Sequence, residues 1–171
     1  PTERAQPGPF LLIWGLFILL TVSVLGMWLA QGRLRRWLRL THRLGWAEAW
    51  RRALAVNGAR LWLWPVGLLL LAGGLLAGVA LALRGMTVLG LLVALLAAAG
   101  VSLLSSDRQQ AGFLQRLLVF VGLAILLGVE LIYLKDFLAT TEWRRMNTVF
   151  KFYIQVWVLL GVALGSALPA L

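Results

Sequence analysis

The feature that most constrains this chain is a set of five long apolar runs. They span residues 10–30, 61–83, 87–104, 113–134 and 148–168. A helix needs about 20 consecutive apolar residues to cross the hydrocarbon core of a bilayer. The runs are continuous and do not alternate with period two, which argues against the strands of a membrane barrel. The sequence therefore predicts an all-α polytopic integral membrane protein with five transmembrane helices.

Composition excludes the common soluble classes of protein. Hydrophobic residues make up 61% of the 171 residues and charged residues 13%. An average soluble domain contains roughly 45–50% apolar residues and about 25% charged residues. The chain has no cysteine and one histidine, His42, which excludes a disulfide framework, a thiolate metal site and a multi-histidine metal cluster. In a membrane protein the net charge of +10 indicates which loops lie on the cytoplasmic side and need not indicate nucleic-acid binding. We therefore expect membrane lipids as partners, and no nucleic acid.

The longest connection between the runs orients the chain. The segment 31–60 carries eight arginines and one acid, Glu48, which is expected to pair with Arg52. Its basic and apolar residues occupy opposite arcs, which predicts an amphipathic interfacial elbow of two helices separated at Gly45. A cytoplasmic elbow places ten of the sixteen Lys and Arg residues inside. The N-terminal tail, 1–9, is then outside and the C-terminus is cytoplasmic.

Two pairs of glycines predict close approach between helices. Gly74 and Gly78 are spaced four residues apart in the second run, as are Gly161 and Gly165 in the fifth. Small residues at this spacing allow helix backbones to approach each other. We expect both pairs to pack inside the bundle, with oligomerisation as the alternative.

Ionisable residues inside two of the runs mark a candidate site. Glu130 lies in the fourth run and Lys151 in the fifth. Charged side chains are costly in a membrane, so they indicate a functional site and require partners. The two runs are antiparallel about the loop 135–147, and residues equally far from its centre lie at equal depth. This predicts ion pairs between Glu130 and Lys151 and between Asp136 and Arg145.

A polar stripe accompanies this pair on the fifth run. Asn147, Lys151 and Gln155 recur every four residues and share a face, and Tyr153 and Trp157 form a neighbouring aromatic edge. Because lipid offers polar groups no partner, the stripe must face protein or a water-filled cavity. Two interpretations stay open. Either an ion pair joins two helices without any ligand, or a polar pocket binds an anion.

The anion interpretation has suitable side chains. Arg144 and Arg145 lie with Lys151 at headgroup level, and a guanidinium binds two oxygens of a lipid phosphate. Asp136 and Glu142 are weak candidates for a catalytic base or for holding a divalent ion, because loop carboxylates near cations more often serve only to balance charge. No clear set of metal ligands is present.

The stretch from Glu130 to Trp157 resembles a known family. It contains E-x-x-Y-x-x-D followed by R-M-N-T-x-F-K-F-Y-x-Q-x-W, which is similar to the signature of the Chlor_Arch_YYY membrane proteins. These are large uncharacterised polytopic proteins of archaea and bacteria. The family is similar in outline to the GT-C membrane glycosyltransferases, which take a sugar from a polyprenyl-phosphate donor at the extracytoplasmic face.

The resemblance implies a role for this chain in a prokaryotic plasma membrane. It would be part of a longer polypeptide that acts as a GT-C-like glycosyltransferase, and it would supply a subsite for the lipid phosphate at the outer face. The residues implied to contact the phosphate or to line the donor or acceptor pocket are Arg144, Arg145, Lys151, Asn147, Gln155 and Tyr153. The loop that carries the catalytic acid in GT-C enzymes has no counterpart here, so the catalytic base is unassigned. The alternatives are a carrier for an anionic or lipid-linked substrate and a non-catalytic membrane assembly module.

Overall fold

A computed structural model describes five long helices and a short terminal turn. The residues that it describes are 5–31, 42, 43, 45, 47, 48, 51, 63–106, 112–132 and 146–170. The helices are α1 (Pro7–Gln31), α2 (Leu63–Leu83), α3 (Thr87–Leu104), α4 (Phe113–Leu131) and α5 (Met146–Ala167), and a 3-10 turn follows at Leu168–Ala170. No strand occurs within these ranges.

All five helices are long and apolar enough to cross a membrane. The prediction of an all-α polytopic membrane protein is therefore confirmed. A helix pairs its backbone groups internally, which is why apolar runs of this length become helices in lipid. The predicted bounds differ by at most three residues: α1 begins at Pro7 instead of residue 10, and α4 stops at Leu131 instead of residue 134 because Ile132 adopts an extended conformation.

The helices α2 and α3 form a tight hairpin, the most extensive helix pair in the bundle. Gly85 has a φ of +80°. Its N–H donates to the carbonyl of Ala82 at 3.0 Å, and the N–H of Met86 donates to that of Leu81 at 2.9 Å. These two bonds form a Schellman motif, whose left-handed residue favours glycine. One glycine therefore ends α2 and lets the chain reverse into α3.

The two glycine pairs have different surroundings. A Cβ at Gly74 would collide with the side chain of Ala97, and one at Gly78 would lie 2.7 Å from the carbonyl oxygen of Gly90. The first pair thus allows α2 and α3 to approach closely, as predicted. A Cβ at Gly161 or Gly165 would meet nothing within 4 Å in the described part of the chain. The expectation that this second pair packs inside the bundle is wrong, because both glycines are exposed on the side of α5 that points away from the other helices.

The core lies where α1, α3, α4 and α5 meet. Its largest fully buried side chains include Trp14, Leu92, Leu123, Leu126 and Leu160. In contrast, α2 packs chiefly against α3 and exposes most of its large apolar side chains. The helix α2 therefore lies at the edge of the bundle, and the other four hold the residues of the candidate site.

The alternating helix directions give the bundle two ends. The backbone of Ala5, just before α1, contacts the carboxylate of Glu130 at the end of α4, and we call this the acid end. In the first turn of α4, Arg116 contacts Ser102 near the end of α3 and Trp28 near the end of α1, and we call this the arginine end. The candidate site of the sequence analysis therefore lies at the acid end.

The interfacial elbow falls mostly outside the described residues. Gly45 has a φ of +76°, the left-handed conformation that ends helices, at the predicted break. The Oε2 atom of Glu48 lies 3.7 Å from the Nε atom of Arg51. Its predicted partner, Arg52, lies outside the described residues.

Candidate functional site

Glu130 is a buried acid at the acid end. Its side chain is 8% exposed, and its Oε2 atom accepts a hydrogen bond of 3.2 Å from the backbone N–H of Ala5. A bond from a backbone N–H to a charged acceptor is stronger than one between neutral groups. The bond therefore ties the segment before α1 to the end of α4, although the two residues are 125 positions apart.

Lys151 lies on the outward face of α5. On the opposite face, Val156 and Leu160 are buried and approach α4 near Gly122. Lys151 is exposed, and no salt bridge joins it to Glu130 among the described residues. The predicted ion pair is therefore absent from this part of the structure, because equal depth determines height along the bundle but not the direction in which a side chain points.

A cluster of aromatic rings joins α1 to α5 near the acid end. Trp14 is fully buried, and its ring centroid lies 4.9 Å from that of Tyr153 and 6.2 Å from that of Trp157, both edge-to-face. Phe17 lies 5.7 Å from Trp14 and 5.7 Å from Trp157. Edge-to-face geometry is favourable because the positive ring edge meets a negative ring face. The predicted aromatic edge of α5 is thus the surface on which α1 packs.

Trp14 was missed by the sequence analysis, although a signal for it exists. Phe10, Trp14 and Phe17 recur at intervals of four and three residues in the first run, which places them on one face of a helix. In a run where almost every residue is apolar, only the aromatic residues reveal which face packs against protein.

The residues of the predicted pocket do not converge on one cavity. Tyr153 contacts α1 through Trp14, whereas Lys151 and Gln155 are exposed on the far side of α5. The residues that lie outside the described part of the chain are Asp136, Glu142, Arg144 and Arg145, together with the side chain of Asn147. Their predicted roles, including the pairing of Asp136 with Arg145, stay predictions.

Arg116 is the second important residue that sequence analysis missed. It was counted for membrane orientation, but it lies in the first turn of a spanning helix. Its Nη1 atom donates to the carbonyl oxygen of Ser102 at 3.0 Å, and its guanidinium lies 5.2 Å from the ring centroid of Trp28. This is cation–π distance. The signal that could have found it is the rarity of charge inside apolar runs.

An open apolar groove lies between α2, α3 and α4. Its volume is about 590 Å³, and its lining includes Gly74, Ala97, Gly100, Phe120 and Leu127. Every residue that lines it is apolar, so the groove offers no acid, base or metal ligand. Within the described ranges, no group of three or more His, Asp or Glu side chains is placed to hold a metal ion.

Comparison with known proteins identifies one family. The family described as "Uncharacterized membrane protein (DUF2298)" matches residues 2–160. No curated protein and no solved structure matches the chain. The matched region covers most of the chain, far more than the stretch from Glu130 to Trp157 that first suggested a family.

Proposed function

The chain belongs to this family of uncharacterized membrane proteins, and we propose that its acid end supplies a subsite for a lipid phosphate. We infer that the subsite serves a GT-C-like glycosyltransferase that uses a polyprenyl-phosphate-linked sugar. The resemblance of the stretch from Glu130 to Trp157 to the Chlor_Arch_YYY proteins suggests this class. The observation that carries the proposal is the exposed cation Lys151 near the start of α5.

The position of Lys151 suits an anionic headgroup. It is the sixth residue of α5, so at about 1.5 Å per residue it lies within about 8 Å of the helix start. A lysine at this depth extends its apolar stem along the helix and brings its ammonium group to the interface. Because Lys151 points away from the bundle, a lipid phosphate can approach it from the membrane.

The surroundings of Lys151 support a site on a rigid element. The same turn of α5 carries Tyr153, which packs edge-to-face on the fully buried Trp14. Binding groups held by packed helices keep their geometry better than groups on loops. Arginine counts predict that the acid end is extracytoplasmic, with the N-terminus outside, and the resemblance implies a prokaryotic plasma membrane. This is the face where GT-C enzymes use their donors.

Native mass spectrometry of the purified chain with a polyprenyl phosphate tests the proposal. Lys151→Gln should weaken lipid retention about tenfold, which corresponds to about 1.4 kcal/mol. Arg84→Gln is the matched control, because Arg84 is also exposed and lies in the α2–α3 turn at the same end of the bundle. A polyprenol without phosphate and an ordinary anionic phospholipid show whether the phosphate and the polyprenyl chain are each recognised.

Arg144→Gln and Arg145→Gln extend the same experiment. If these arginines hold the phosphate together with Lys151, each variant should retain less polyprenyl phosphate than Arg84→Gln. Equal retention by the parent and all four variants would overturn the proposal. Equal loss in all four would overturn it as well, because binding would then follow net charge.

A non-catalytic assembly module is the second candidate function. It is favoured by Gly161 and Gly165, which allow close helix approach but meet no part of the described bundle. In that case Lys151→Gln would leave lipid retention unchanged, while changes on the outward face of α5 would alter association.

A further inference from the structure

The helix α5 has one face packed in the bundle and one face that the described chain leaves uncovered. The buried residues of the packed face are Val156, Leu160, Ala163, Leu164 and Ala167. The opposite face carries exposed residues over four turns, among them Lys151, Gln155, Val158, Val162 and Gly165. Gly161 adjoins this set and is also exposed. We call these six residues the outward face of α5.

Gln155 is the residue of this face that lipid cannot satisfy. It is the tenth residue of α5, which places it roughly 13 Å along the axis from the helix start, well inside the hydrocarbon region. Its amide has two donors and an acceptor, and a polar group without a partner is costly in a bilayer. The side chain of Lys151 can reach the interface from one turn above, but the shorter side chain of Gln155 cannot.

The exposed faces of the other peripheral helices do not share this problem. In the span Val66–Leu83 of α2, every residue is apolar. On α1, the exposed Ser23 donates to the carbonyl oxygen of Leu19 in its own helix at 2.9 Å. The outward face of α5 therefore differs from these faces by a deep amide that needs an external partner.

We propose that the outward face of α5 binds the same face of a second copy of the chain, in a parallel two-fold dimer. Two-fold symmetry places each residue opposite its own copy or close to it. The amide of Gln155 is both donor and acceptor, so two copies satisfy each other across the axis. Gly161 and Gly165 provide the spacing with which two helix backbones approach closely in membranes.

The positive charge of Lys151 agrees with this arrangement. The exposed residues from Lys151 to Gly165 recur at alternating intervals of four and three, a spacing typical of helices that cross at about +20°, so the two Gln155 side chains stay within reach of each other. Lys151 lies one turn closer to the acid end, and each of the two long side chains extends to the headgroup region. A lipid in place of the second copy would supply a phosphate for Lys151 but no hydrogen bond for Gln155.

Single-cysteine cross-linking tests the dimer, since the natural sequence contains no cysteine. Val158→Cys, at the centre of the outward face, is compared with Leu76→Cys, which is 72% exposed on α2. The full chain is reconstituted in phospholipid vesicles at two protein-to-lipid ratios and treated with a membrane-permeant oxidant. We expect a disulfide-linked dimer of twice 18.8 kDa for Val158→Cys, at least tenfold more abundant than for Leu76→Cys.

A second change ties the cross-link to the proposed interface. Gly165→Leu combined with Val158→Cys should lower the dimer yield to the level of Leu76→Cys, because the new side chain separates the helices. Lys151→Gln should leave the yield unchanged or raise it, so the dimer and the lipid subsite can fail independently. Equal cross-linking of Val158→Cys and Leu76→Cys, no cross-linking, or an adduct of another mass would each overturn the dimer.

Discussion

Each end of the bundle contains one charged residue of α4, and the two residues make different kinds of contact. At the arginine end, Arg116 contacts a carbonyl oxygen of α3 and an aromatic ring of α1. At the acid end, Glu130 accepts a hydrogen bond from the backbone just before α1. Arg116 joins α4 to residues within α3 and α1, whereas Glu130 binds the backbone of the segment that precedes α1. The two sets of contacts therefore hold α1 and α4 together at opposite ends of these helices.

The signs of these charges are the reverse of what α4 alone would favour. A helix stabilises acids near its N-terminus and bases near its C-terminus, by about 0.3–1 kcal/mol each. In α4 the base Arg116 is in the first turn and the acid Glu130 is the penultimate residue. Helix stability therefore does not account for either position. Contacts with other segments of the chain must offset the cost, which makes both residues probes of tertiary structure.

The largest effect should follow from removing the aromatic centre of the acid end. Trp14→Ala leaves a cavity among rings that pair at 4.9 to 6.5 Å, and large-to-small changes of this kind cost about 3–5 kcal/mol. Trp28→Ala at the arginine end should cost less, because fewer ring pairs are lost. The free energy of unfolding in detergent micelles, followed by circular dichroism, measures both.

Leu12→Ala is the control for this comparison, because Leu12 lies on α1 and is 89% exposed. It should change the free energy of unfolding by less than about 0.5 kcal/mol. If Trp14→Ala cost no more than Leu12→Ala, the aromatic cluster would not hold α1 to α5.

A smaller effect is expected from Arg116→Gln. The change removes the donor to the carbonyl of Ser102 and the cation over Trp28, and it relieves the unfavourable charge at the start of α4. The net loss in the free energy of unfolding should be about 1–2 kcal/mol. Arg116→Lys keeps the charge but not the planar group, and it should recover only part of the loss. A variant as stable as the parent would show that these contacts merely compensate for the helix dipole.

Glu130→Gln should have a smaller effect still. The amide oxygen can still accept from the N–H of Ala5, and the neutral group removes the unfavourable charge at the end of α4. We expect the free energy of unfolding to change by less than about 1 kcal/mol. Glu130→Leu removes the acceptor and should cost about 1–3 kcal/mol. If both variants were equally stable, the bond to Ala5 would contribute nothing.

The sequence predicts well where the helices of this bundle form, but it predicts poorly which side of each helix packs against its neighbours. Apolar length determines where a span can form, and Gly85 marks the turn between α2 and α3. Facing depends on which side of each helix meets another, and nearly uniform apolar runs carry little of that information. This is why the pairing of Glu130 with Lys151 was predicted from depth, while the outward direction of Lys151 required the structure.

The parts of the candidate site that could be predicted are those with a periodic signal. Lys151 and Gln155 recur at a spacing of four residues and do share a face of α5. The hydrogen-bond partners given for Glu130 and Arg116, which are Ala5 and Ser102, contribute backbone atoms. Backbone atoms carry no residue-type signature, so no reading of side chains could identify them.

The smallest expected effect concerns a second polar contact between helices at the arginine end. Gln115 donates from Nε2 to the Oγ atom of Ser166 at 3.1 Å and joins the start of α4 to the end of α5. Hydrogen bonds between helices average about 0.6 kcal/mol in membrane proteins, and Ser166 also donates to its own helix at Ala163. Gln115→Ala should therefore lower the free energy of unfolding by about 0.5 kcal/mol, with Ser166→Ala matching it. A loss as large as that of Arg116→Gln would mean that the arginine end depends on a polar network that extends to α5. The difference between the two ends could then no longer be described by the contacts of Arg116 and Glu130 alone.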